Sequence, residues 1–176
     1  MYKIKLEEKE YEMPSGWDEV TLKNLMIINS IITKEYNSEL KMIVDLISVL
    51  SGIEKEILLE LDFTELNKFD FNWLNKSFNK KIVNEFTIND KKYKMIKDFK
   101  KLKFGEYVDL DYYMKDLTNN LHYIVGILVR EVDENGNILK YDNNTLEERA
   151  NIFYENIKIE EVLGIVDFFQ NGVNGS

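Results

Sequence analysis

Residues 3–13, KIKLEEKEYEM, and residues 85–95, EFTINDKKYKM, decide the fold. In the first, Ile4, Leu6, Tyr11 and Met13 alternate with charged residues. In the second, Phe86, Ile88, Tyr93 and Met95 do the same around Asn89-Asp90. A period of two on both arms predicts β-hairpins with one buried face. Glu7 to Lys9 make the first turn, and Asn89-Asp90, a pair that tolerates positive φ, makes the second.

Helical spacing follows each hairpin. Pro14, Ser15 and Gly16 break the first strand period and Trp17 sits in the linker. Thr21 is an N-cap for a helix carrying Leu22, Leu25, Met26, Ile28, Ile31 and Ile32. Ser38 opens a second, which Gly52 closes from the C′ position. A third runs over about 53–61, and Asp62 with Glu65 starts a fourth carrying Leu66, Phe69, Trp73 and Leu74. After the second hairpin, helices are expected over about 104–115, 119–131 and 159–170. Between the last two, Thr145 and Glu148 form a capping box for a further helix.

Shifting the sequence by 82 lays residues 3–32 on 85–114 without a gap. Lys9/Lys91, Tyr11/Tyr93 and Met13/Met95 are identical, and Ile4/Phe86, Trp17/Phe99, Leu22/Phe104 and Ile28/Leu110 keep apolar character. The expected fold is therefore α+β, mostly helical. It consists of two related hairpin-plus-helices units, residues 1–82 and 83–176, packed as one globular domain with the hairpins joined in one antiparallel sheet.

Composition narrows the function. The 176 residues carry a net charge of −9 and no cysteine, which excludes disulfide scaffolds, thiolate metal sites and thiol nucleophiles. Arginine occurs twice and alanine once, against 21 lysines. That is the bias of AT-rich codons, and it points to an AT-rich bacterium or its phage. The apolar run 123–129 falls far short of the roughly 20 residues of a membrane-spanning helix. The N-terminus has no signal-peptide pattern, so no membrane association is expected.

The charge is unevenly placed. Residues 74–103 hold ten lysines against Glu85, Asp90 and Asp98, a net +7, which leaves −16 for the rest. Lys91, Lys92, Lys94, Lys97, Lys100, Lys101 and Lys103, interleaved with Tyr93, Phe99 and Phe104, are the candidate partner-binding residues. An acidic protein surface fits them better than nucleic acid, because arginine, the bidentate reader of bases and phosphates, is missing from the segment. A small nucleic-acid-associated protein using residues 91–103 is the alternative. Trp17 is either a staple between hairpin and helices or an interface anchor.

No cofactor or metal motif is present. Glu106 and Asp109, three residues apart on one helix face, are the one carboxylate pair that could serve a metal-dependent enzyme. Asp133-Glu134-Asn135-Gly136-Asn137 fails the EF-hand pattern, since Ile138 and Asn144 occupy the positions that need Gly and Glu. It reads as a turn. His122, the single histidine, has no triad partners. Gly126 and Gly164 lie inside helical patterns, where they permit close helix packing.

The layout resembles phage structural-module proteins of the tail-assembly-chaperone or accessory virion type. The resemblance is carried by Tyr11-Glu12-Met13-Pro14, by Trp17-Asp18-Glu19-Val20-Thr21-Leu22, by Leu50-Ser51-Gly52-Ile53, by the run Phe104 to Leu110, by a helix like Leu121 to Arg130, and by Phe168-Phe169. It implies a non-enzymatic protein of virion morphogenesis. Such a protein acts in the host cytoplasm or in the virion, with tail or head–tail proteins as partners. It transfers no functional residues.

Overall fold

In a computed structural model, residues 1–6, 8–77 and 83–165 are described. The chain divides into two compact units, Met1–Asn79 and Lys80–Ser176. Each mixes helices with one small antiparallel sheet, which is the α+β, mostly helical class.

The first unit opens on strands β1 (Tyr2–Leu6) and β2 (Lys9–Met13), paired from Tyr2↔Met13 to Leu6↔Lys9. Lys9 therefore belongs to the strand rather than to the turn. Ile4, Leu6 and Met13 are buried on one face, as the alternation requires. The Thr21 side chain accepts from the Asn24 N–H at 3.3 Å and starts α1 (Leu22–Ile32). Next come α2 (Glu39–Ser51) and the short α3 (Lys55–Leu59). Gly52 ends α2 at φ 71°, a conformation that costs glycine little. Leu22, Ile28, Ile47 and Ile53 are fully buried among these elements.

The fourth helix expected after Asp62 is not one helix. Residues Phe63–Lys68 and Asn72–Asn75 form two separate 3-10 turns, and the Asp62 side chain makes no cap. Phe69 and Trp73 are still buried. Phe69 lies between the two turns, and a spacing of three, as in Leu66 and Phe69, does not distinguish a 3-10 turn from an α-helix over so short a stretch.

In the second unit, β3 (Glu85–Ile88) and β4 (Lys91–Met95) pair with Ile88↔Lys91 closing the hairpin. The two-residue loop has Asn89 at φ 50° and Asp90 at φ 63°, the signature of a type I′ turn. Helices α4 (Phe104–Met114) and α5 (Leu117–Leu128) follow. The helix expected to reach residue 131 stops three residues earlier. Val129–Glu131 is strand β5, which joins the free edge of β4 through Tyr93↔Glu131 and Met95↔Val129. The apolar run alone could not show this, because the pairing partner lies more than thirty residues back.

Helix α6 (Leu146–Asn156) starts without the expected capping box. The Thr145 hydroxyl instead donates to the Asp142 carbonyl at 3.1 Å. Residues 159–165 are helical. The rest of the helix expected there, with Phe168-Phe169, lies outside the described residues.

Helices α5 and α6 meet where the chain is thinnest. A Cβ on Gly126 would sit 3.2 Å from Leu146 Cδ1 and 3.5 Å from the Ala150 backbone. Ala150, the only alanine of the chain, is fully buried there. The close packing expected at Gly126 is thus observed.

The hairpins do not join. One sheet has the order β1-β2 and the other β3-β4-β5. The expectation of a single antiparallel sheet is corrected: the edge of β4 is taken by β5. The element boundaries nevertheless recur at the same offset. Adding 82 to Lys9–Met13 gives Lys91–Met95, and adding it to Leu22–Ile32 gives Phe104–Met114. The 3-10 turn Trp17–Glu19 maps in the same way onto Phe99–Lys101.

Candidate partner-docking face

The lysines of the basic segment separate into two groups. Lys91 pairs with Glu131 at 3.0 Å, Lys94 with Glu85 at 3.1 Å, and Lys101 with Asp98 at 3.7 Å. Lys94 also reaches the Gly136 carbonyl at 3.4 Å. Lys92, Lys97, Lys100 and Lys103 are exposed and form no ion pair among the described residues. Pairs this exposed contribute little to stability, so all seven ammonium groups remain available to a partner's field.

What the sequence did not single out is the helix beside them. On α4, Phe104 is 84% exposed, Val108 51% and Tyr112 65%. Positions i, i+4 and i+8 lie on one helix face. Tyr107 extends the stripe at 47%. Its start is flanked by Lys100, Lys101 and Lys103, on and just after the 3-10 turn that precedes the helix. Phe104 falls on the apolar period of its segment but faces outward. The difference from the first unit is sharp: Leu22, which Phe104 matches at the 82-residue offset, is 0% exposed.

The other face of α4 holds the helix in place. Glu106 is 2% exposed and Arg130, on β5, 7%. Arg130 Nη2 donates to Glu106 Oε1, and Glu106 Oε2 accepts the Lys103 backbone N–H at 2.6 Å. One carboxylate therefore caps α4 and neutralises a buried guanidinium. Asp109, one turn on, accepts from the Tyr141 hydroxyl at 2.6 Å and from Asn143 Nδ2 at 3.4 Å. The pair considered for metal chemistry is thus engaged in tying α4 to β5 and to the 139–145 loop. No group of three or more metal-ligating side chains gathers among the described residues.

Asp133 is committed to a turn. Its Oδ1 accepts the backbone N–H groups of Asn135 and Asn137 at 2.9 and 2.8 Å, with Gly136 at φ 79°. The Asn137 side-chain amide, donating to Asp133 Oδ2 at 3.0 Å, together with these backbone N–H groups holds the Asp133 carboxyl below its usual pKa.

Trp17 is half-buried and acts as a staple in the first unit. Its Nε1 donates to the Lys76 carbonyl at 3.0 Å, and its ring meets Trp73 edge-on at 5.0 Å. The basic segment and Trp17 belong to different units.

His122 lies half-buried on α5 between Tyr123 and Tyr154, with Nδ1 buried and unpartnered. Desolvation lowers its pKa below 6.5. The unfolded chain therefore binds the extra proton more readily. This contribution to stability is complete above pH 6.5 and declines as the pH falls through that value toward the lower folded pKa. His122→Gln is expected to flatten the loss of stability between about pH 7 and pH 5, measured by denaturant unfolding. An unchanged slope would contradict this.

Compared with known proteins, the chain matches no family model, no curated protein and no solved structure.

Proposed function

We propose that this protein is a non-enzymatic component of phage particle assembly, a tail assembly chaperone or accessory structural protein. It acts by docking the basic, apolar face of α4 onto an acidic partner among the tail or head–tail proteins. The phage setting rests on the sequence layout. The docking role rests on one observation, the exposed stripe Phe104, Val108 and Tyr112 continuing into exposed lysines. A large apolar patch rimmed by charge is the usual mark of a protein-binding surface. An amphipathic helix face also fits a groove through side chains one turn apart.

The chemistry divides the labour. The +7 of residues 74–103 steers an acidic partner and sets the association rate. Phe104 and Tyr112 fill pockets and set the lifetime of the complex. The remaining −16 repels second copies and keeps the chain soluble.

The test is co-expression with the tail and head–tail proteins encoded by neighbouring genes. Reversing the charge of Lys92, Lys97 and Lys100 should lower the association rate at low salt and leave the fold unchanged. Association with no salt dependence and no response to these changes would contradict the proposal. A salt-sensitive gel shift with DNA, in place of protein capture, would assign the segment to nucleic acid.

A further inference from the structure

Arg130 and Arg149 are the only arginines beside 21 lysines, and the fold brings them together. Both guanidinium groups face the Tyr141 ring, at 5.0 and 5.3 Å from its centroid. In a chain that otherwise uses lysine for positive charge, this is the one place with planar, multi-donor cations.

Their hydrogen bonding is incomplete. Arg149 Nε donates to the Gly126 carbonyl at 2.7 Å, one of the last carbonyls of α5, and Nη1 donates to Thr145 Oγ1 at 3.0 Å. Arg149 Nη2 and Arg130 Nε are buried without a partner. Arg130 at least has the Glu106 carboxylate. Arg149 has no carboxylate in ion-pair range among the described residues, and burial and the neighbouring Arg130 both work against its charge. A half-buried cation whose hydrogen bonds go to neutral acceptors is costly, and the Asp142 carboxylate favours its charge only from beyond ion-pair range.

A cavity of about 230 Å³ adjoins them, lined by Arg130, Arg149, Lys91, Lys140, Tyr93 and Thr145 among others. Two carboxylates also line it, but Glu131 is held by Lys91 at 3.0 Å. That leaves Arg149 and Lys140 against Glu148 alone.

We propose that this cavity binds a phosphate-class oxyanion. Arg149 Nη2, Arg130 Nε and the Lys140 ammonium supply three donors from three elements, α6, β5 and the 139–145 loop. Three donors from separate directions suit a tetrahedral oxyanion better than a planar carboxylate. The two arginine atoms are shielded from solvent, so entry of the ligand requires the exposed segment at Leu139 and Lys140, held by the Leu139 N–H to the Glu131 carbonyl at 3.0 Å, to move outward.

The scarcity of arginine supplies the test. An NMR spectrum of the arginine Nε–Hε groups in the whole chain should contain two signals. Titration with inorganic phosphate should move both along a saturable curve, with affinity in the roughly millimolar range, while chloride at matched ionic strength moves neither. Arg149→Lys keeps the charge but removes the fork, and should weaken binding about tenfold. Lys140→Gln, on an exposed loop, should weaken it severalfold with the fold intact. Methyl phosphate run in parallel separates the sources. Tighter binding than phosphate indicates a phosphomonoester, and weaker binding indicates the free ion. Linear shifts that match chloride, or saturable binding indifferent to both substitutions, would overturn the proposal.

Discussion

Glu106→Ala should destabilise the second unit by about 3–5 kcal/mol, the cost of leaving a buried charge without its partner. Glu106 and Arg130 are both buried, and Glu106 also accepts the Lys103 N–H. The substitution removes the neutralising charge and the cap of α4 together, so the cost belongs at the upper end of that range. Glu106→Gln keeps an acceptor for the cap and should cost less. Replacing Glu106 and Arg130 together by Leu and Met removes both charges at similar volume and should recover most of the loss. Urea denaturation followed by circular dichroism reads all three. A double variant as unstable as Glu106→Ala would show that the pair acts through more than mutual neutralisation.

Phe153→Ala is expected to be as damaging, at about 3–5 kcal/mol for an aromatic removed from a well-packed core. Phe153, on α6, is 0% exposed and packs edge-on against Tyr93 at 5.1 Å and Phe86 at 6.0 Å. Those two rings come from the inner face of the β3-β4 hairpin and stack on each other. The substitution therefore cuts the contact by which α6 covers its sheet. Phe153→Leu retains most of the volume and should cost about 1–2 kcal/mol. Both tryptophans lie in the first unit, so circular dichroism is the appropriate probe. A loss below about 1 kcal/mol for Phe153→Ala would mean that the site collapses around the missing ring.

The features legible in the sequence were those that local chemistry determines. Thr21 caps because its hydroxyl reaches the Asn24 N–H, three residues on. Asn89-Asp90 turns because both residues accept positive φ. Gly52 terminates α2 for the same reason. Features that need a distant partner were hidden. Val129 ends a helical apolar run, and Val129–Glu131 becomes a strand because β4 offers an edge. Glu106 and Arg130 lie 24 residues apart, and no spacing rule joins them.

The exposed apolar stripe of α4 was hidden for another reason. Phe104, Val108 and Tyr112 have the periodicity of a buried face, and sequence alone does not say which of two apolar faces is covered. Leu110, fully buried on the same helix, shows the face that is. A signal was available in the first unit's match. Ser30, exposed on α1, is matched by Tyr112. Aromatic residues gained at outward positions mark a surface made for contact.

The most direct measurement is the affinity of the purified protein, with Phe104 and Tyr112 both replaced by Ser, for whichever co-expressed protein the unaltered chain captures. The docking account predicts at least a roughly tenfold loss of affinity, since exposed aromatic anchors each contribute more than about 1 kcal/mol. Both side chains point outward, so the unfolding midpoint should stay unchanged. Full affinity in that variant, with its fold intact, would contradict the account.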